Sequence, residues 1–211
     1  MAISASDRGE SRSNPKERIM SDQNTPRDPM KDAAVMAARL MAGSMRSAPK
    51  AGGKDFLEIV TIEDEAELAR IAALMREYAA QSSNEAFWLR DAANIEQAQA
   101  LVLVGLARFA PAGYDCGACG YASCKEFTQA RQPLDKDMGY AGPHCALRMI
   151  DIGCALASAA KTAGLLNADN RVQQRVGAAA RKLGLIRAEV VLGLPVGYYG
   201  KNVFFDRKAA K

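Results

Sequence analysis

From Lys31 to about Met45 the run KDAAVMAARLMAGSM returns an apolar residue every three or four positions, the period of one helix face, and predicts the first helix. Pro49 and the Gly52-Gly53 pair break it into a loop edged by Arg46, Lys50 and Lys54. FLEIVTI, residues 56–62, alternates as a strand does, and EDEAELARIAALMREYAAQS, residues 63–82, restores helical spacing with acidic residues at its start. Residues 91–99 fit helix or loop equally well. The next seven, ALVLVGL, are apolar without alternation, which predicts a strand covered on both faces. ALRMIDIGCALASAAKTAGLL, residues 146–166, predicts a small-residue helix buried over most of its surface. NADNRVQQRVGAAARKLGL predicts another helix opened by Asn or Asp caps. The tail, AEVVLGLPVGYYGKNVFFDR, reads as strand, glycine turn and aromatic segment. Strands and helices mix without regular β-α alternation or an internal repeat, so the expected class is α+β rather than a doubly wound sheet.

With 211 residues, 49% of them hydrophobic, the chain has material for one substantial core. The expected organisation is a flexible polar extension over residues 1–30 and a single α+β domain over 31–211, with a cysteine-bearing segment inserted at 111–146. The formal net charge of +4 comes from scattered rather than clustered basic residues, and aromatics are 6% of the chain, too few for a base-stacking platform. Nucleic acid is therefore not an expected partner. The first thirty residues lack the apolar run of a signal peptide or membrane span, so no membrane association is expected and the reducing cytoplasm is the expected compartment. There cysteines more often bind metal or react than form structural disulfides.

The cysteines then need a chemical explanation. In GYDCGACGYASCKEF, Cys116, Cys119 and Cys124 follow the spacing CxxCxxxxC, and Cys145 comes after twenty intervening residues in GPHC. Three thiolates in a tight loop suit three corners of a cubane that a distant fourth closes, with Gly117 and Gly120 easing the turn. Zinc is the alternative: four-cysteine zinc sites commonly use two separated CxxC pairs, and only one CxxC is present. His144 adjoins Cys145 and offers a three-cysteine, one-histidine zinc site in its place, but beside Pro143 it reads more simply as a loop histidine near the cluster. Cys154 lies nine positions beyond Cys145; at about 100° per residue it falls on the opposite helix face with Leu147 and Ile150, an expected core position.

CGACGYASCKEF with the later GPHC resembles the four-cysteine [4Fe-4S] domain of corrinoid iron-sulfur proteins and of electron-transfer subunits of membrane redox complexes. The region from Ala33 to Arg207, including GKNVFFDR, resembles a family of ferredoxin-domain proteins of bacteria and archaea. That resemblance implies Cys116, Cys119, Cys124 and Cys145 as ligands of a [4Fe-4S] cluster. MAGSMRSAPKAGG, IDIGCALASAAKTAGLL and VVLGLPVGY are also similar, in order, to segments of the nitroreductase flavoproteins. This second resemblance implies a nitroreductase-like core, a homodimer and FMN, with an early arginine-serine segment near the flavin phosphate. The family's double arginine is here Met45-Arg46-Ser47, and its asparagine-containing run is replaced by Lys50, Gly52 and Gly53.

Arg46, Ser47, Lys50, Lys201 and Arg207 form a candidate set for a flavin or substrate phosphate, because guanidinium and hydroxyl donors match phosphate oxygens. The same residues also fit a solvated loop and an ordinary basic tail. Three functions follow. The first is an iron-sulfur oxidoreductase passing electrons through a [4Fe-4S] cluster, with FMN between the cluster and a small organic acceptor. The second is a ferredoxin-like module that serves a redox partner protein or senses iron or redox state. The third is a structural zinc protein.

Overall fold

The computed structural model describes residues 28–206; the extension expected over 1–30 lies outside them but for its last three residues. Helix α1, Pro29–Ser47, starts where Asp28 accepts a hydrogen bond from the Met30 amide at 2.9 Å, with proline in the first turn, where no amide hydrogen is needed. A single 3-10 turn, Ala51–Gly53, leads to β1, Leu57–Ile62. Asp64 caps α2, Glu65–Ala79, by accepting from the amides of Ala66 and Glu67. The ambiguous stretch is resolved as the end of α3, Glu85–Glu96, which buries Trp88, Ala92 and Ile95 at i, i+4 and i+7. There follow β2, Ala100–Leu106; α4, Cys124–Ala130; a small hairpin of β3, Leu134–Asp135, and β4, Ala141–Gly142; and α5, Ala146–Leu165. The chain continues through β5, Asp169–Asn170, α6, Arg175–Lys182, and β6, Val190–Gly197.

The main sheet is antiparallel in the order β1-β2-β6-β5. All seven residues of β2 are buried because helices cover both of its faces. Ala100, Val102, Val104 and Leu106 join the core under α1 and α5, whereas Leu101 and Leu103 join the core under α2, α3 and α6. This is the uninterrupted apolar signal of ALVLVGL in three dimensions, each fully buried Leu or Val contributing about 1.5–3 kcal/mol. The result is a three-layer α+β fold with the cysteine segment between β2 and α5.

Two expectations change. Helix α5 buries one face, through Ile152, Ala155, Leu156, Ala159 and Ala163, but leaves Met149, Ile150 and Leu165 exposed, so it lies on the outside of the sheet rather than within the core. Of the Asn and Asp residues expected to supply a cap, Asp169 and Asn170 pair instead with Gly197 and Val196 at the sheet edge, and α6 begins after Gln174 without a side-chain cap.

Candidate metal centre

After β2 the chain crosses the outer surface and makes a turn in which Gly117 and Gly120 take φ of 73° and 85° and the Gly120 amide donates to the Gly117 carbonyl at 2.9 Å. A Cβ added at either would meet no atom within 4 Å, so glycine is there for its left-handed backbone and not for lack of protein space. The Asp115 carboxylate accepts from the Cys124 amide at 2.7 Å and ties the first cysteine of the turn to the last. Ser123 then caps α4 through the Glu126 amide at 3.1 Å. Cys145 arrives from the far side of the segment as the residue immediately before α5.

These elements bring Cys116, Cys119, Cys124 and Cys145 onto one pocket, lined also by Ala112, Tyr114 and Phe127. The four are graded in exposure: Cys116 is open to solvent, Cys119 and Cys124 are half-buried, and Cys145 is buried. The Ala146 amide donates to Cys119 Sγ at 3.4 Å. Burial pushes the Cys119 thiol up, with the nearby Cys145 and Cys116 adding to it and the Ala146 amide opposing. Burial alone would raise Cys145 as well, but the amides of Arg148, Ala112 and Leu147, with the Cys119 thiol, outweigh it and hold Cys145 below the usual thiol value.

Behind the cysteines, Tyr121 stacks on Phe127 at 5.2 Å, Phe127 meets Phe109 edge-on at 5.4 Å, and the Arg131 guanidinium lies 4.3 Å from the Phe109 ring centre. His144 turns its buried ring towards Glu189, with Nε2 2.9 Å from Oε2 in a poorly aligned contact. Burial lowers its pKa, and Arg131 lowers it further against the pull of Glu189.

The donor set suits a thiolate-ligated cluster: four soft sulfurs share a pocket and peptide N–H groups point at two of them. Among the described residues no group of three or more His, Cys, Asp or Glu is arranged to hold a metal ion.

The five candidate phosphate residues are placed differently. Arg46 Nη1 donates to Asp55 Oδ2 at 2.8 Å and to the Leu57 carbonyl at 2.9 Å. Ser47 Oγ donates back to the Ser44 carbonyl at 3.2 Å. Lys50 Nζ donates to the carbonyls of Met45, Arg46 and Ala48 at 2.9, 2.8 and 2.7 Å, closing the C-terminus of α1 with all three of its hydrogens. Lys201 pairs with Asp206 at 2.7 Å, and Arg207 lies outside the described residues. Each of the four described groups is thus already engaged within the chain. Cys154, expected in the core, is half-buried on α5, and Ile150, one turn before it, is exposed.

Sequence reasoning passed over Arg148 and Asp151. Both are buried and joined at 2.9 Å between Arg148 Nη1 and Asp151 Oδ2. Two charges three residues apart inside the apolar run ALRMIDIG were the signal for them.

A family model described as "Uncharacterized protein containing a ferredoxin domain (DUF2148)" matches residues 141–207, a span that holds Cys145 and Cys154. An uncharacterized protein of Archaeoglobus fulgidus is 42% identical over 180 residues, covering 85% of this chain and 95% of its own. Among solved structures, a nitroreductase with bound FMN from Desulfitobacterium hafniense superposes with a TM-score of 0.53 at 12% identity, over 84% of this chain and 81% of that one. A nitroreductase with bound FMN from Bacteroides fragilis gives 0.51 at 13% identity, over 94% and 96%. The core has the nitroreductase fold, as the resemblance implied. The ferredoxin domain in the family model's description points to a redox or electron-transfer role.

Proposed function

This chain belongs to the family of uncharacterized proteins containing a ferredoxin domain, and we propose that it is an iron-sulfur redox protein whose [4Fe-4S] cluster is held by Cys116, Cys119, Cys124 and Cys145. The observation that carries this reading is the convergence of these four thiols, from two separate parts of the chain, on one pocket. Such a cluster supplies reversible one-electron exchange, at a potential set by its net charge, its hydrogen bonds and its exposure. Cys145, buried and surrounded by amide donors, is the anchor that favours anionic sulfur. Cys116, exposed between Tyr114 and Tyr121, is the edge at which a redox partner protein or a small electron acceptor approaches. Phe127 and Phe109 keep water from the inner side.

The nitroreductase fold favours an oxidoreductase reading with FMN as a second cofactor, since both superposed structures carry it. The engaged state of Arg46, Ser47, Lys50 and Lys201 supplies no ready phosphate cradle. A homodimer would cover the apolar residues that α1 and α5 leave exposed, Met36, Leu40, Met149, Ile150 and Leu165. No described helix is long and apolar enough to cross a membrane, and cysteines that bind a cluster rather than form disulfides suit the reducing cytoplasm.

The test is ligand by ligand. Cys119→Ser and Cys145→Ser, purified anaerobically, should lose most of the bound iron and acid-labile sulfide, while Cys154→Ser keeps both. Equal retention in all three variants, or equal loss, would overturn the ligand set.

A further inference from the structure

Arg148 is the bulkiest of the fully buried side chains, and a buried arginine needs a reason. Nε donates to the Ala110 carbonyl at 3.1 Å, and Nη1 to the carbonyls of Ala51 and Lys54 at 3.0 and 3.2 Å and to Asp151 Oδ2 at 2.9 Å. The guanidinium lies 4.4 Å from the Phe56 ring centre. Asp151 completes the clamp by accepting from the Ala51 amide at 2.7 Å. Two of the segments so gripped lead to the cysteine pocket. Arg148 stands three residues after Cys145 on α5 and turns its own amide to that sulfur, and Ala110 is two residues before Ala112, whose amide also serves it.

Stability alone does not account for this pair. Buried ion pairs carry a desolvation cost that their mutual attraction often only balances, and apolar residues of similar volume commonly hold a fold as well or better. What such a pair supplies that apolar residues cannot is fixed charge in a medium of low dielectric, felt by any charge that changes nearby. On the proposed reading one charge changes nearby: a four-thiolate cubane gains a negative charge on accepting an electron.

We infer that Arg148 and Asp151 form a redox-tuning pair, in which the guanidinium favours the reduced state of a cluster bound at Cys145 and the carboxylate partly offsets it while locking the Ala51–Gly53 turn. The inference rests on the iron-sulfur reading. It assigns opposite effects to the two halves of one contact. Removal of the positive charge makes the added electron less favourable, and removal of the negative charge makes it more so. A purely structural contact would give changes of one sign, because either variant breaks the same clamp.

The experiment measures iron and acid-labile sulfide per chain and then the midpoint potential, by mediated titration of the visible absorption, in the wild type, Arg148→Gln, Asp151→Asn and the double variant. The expected order is Arg148→Gln below wild type, Asp151→Asn above it, and the double variant between the two. Should Arg148→Gln fail to fold, Asp151→Asn carries the test, because it keeps the arginine and a side chain of the same shape. As a readout independent of the potential, amide hydrogen exchange at Ala51 should quicken in Asp151→Asn, which replaces its charged acceptor. A loaded wild type with shifts of one sign, or none, overturns the tuning pair alone. A wild type without iron and sulfide overturns the cluster reading and this inference with it.

Discussion

Replacing Lys50 by methionine separates two roles that the sequence left equal, phosphate donor and helix closure. Its ammonium lies on three carbonyls of the last turn of α1, 3.9 Å from Asp55 Oδ2, and the side chain is only 4% exposed. Methionine keeps the apolar stem and removes the charge and all three donors. Hydrogen bonds from a charged donor contribute about 1.5–3 kcal/mol each, and a cation at a helix C-terminus contributes about 0.3–1 kcal/mol. The three bonds share one ammonium, and the freed carbonyls recover some hydration, so the contributions do not add in full. A net loss of about 2–4 kcal/mol is expected. For a domain of this size each kcal/mol moves Tm by about 2–4 °C, which gives a fall of roughly 4–16 °C. The assay is thermal unfolding followed by circular dichroism, repeated as urea titration to confirm that the slope is unchanged. A Tm within about 2 °C of wild type, corresponding to less than about 1 kcal/mol, would refute the closure role and return Lys50 to the candidate phosphate donors.

Gly177→Ala places a Cβ 2.0 Å from the Val191 carbonyl oxygen and 2.5 Å from its carbon, so α6 must lift from β6. Overpacking of this kind costs about 1–3 kcal/mol or more, enough to exceed the gain of about 1 kcal/mol in helix propensity; urea titration should show a loss, and an equal or higher midpoint would contradict the packing. The Tyr199 hydroxyl donates to the Gln97 carbonyl, and burial, with Asp169 adding to it, pushes its pKa up to about 12 against an ordinary value of about 10. Because the folded value is the higher, Tyr199 leaves stability unchanged below pH 10 and lowers it between pH 10 and about 12, where only the unfolded chain ionises readily. Tyr199→Phe should lose less stability than wild type across that window, and parallel profiles would contradict it.

The fold was most legible where periodicity was unopposed. KDAAVMAARLMAGSM and ALVLVGL became α1 and β2, because one apolar stripe or one unbroken apolar run admits few alternatives. The α3 helix was obscured by Asp91 and Asn94, polar residues that the structure buries, Asp91 beside Arg90 and Arg175. The exposure of Ile150 was hidden for the opposite reason: composition says a helix is apolar but not which side meets the sheet. At the candidate site, spacing pointed to four cysteines, and the pocket gathers those four and leaves Cys154 out of its lining. Charge at the phosphate candidates said nothing of where it would be used. Whether Lys50 meets a ligand or its own helix end depends on how the chain folds back after Ala48, a tertiary matter.

The most direct measurement is the ultraviolet-visible spectrum of the anaerobically purified protein before and after reduction with dithionite, with iron and sulfide quantified on the same sample. A protein holding one [4Fe-4S] cluster gives a broad sulfide-to-iron band that bleaches on reduction, with about four iron and four sulfide per chain. A structured flavin spectrum laid over that band would add FMN to it. A colourless protein with stoichiometric zinc and no acid-labile sulfide would rule out the iron-sulfur cluster.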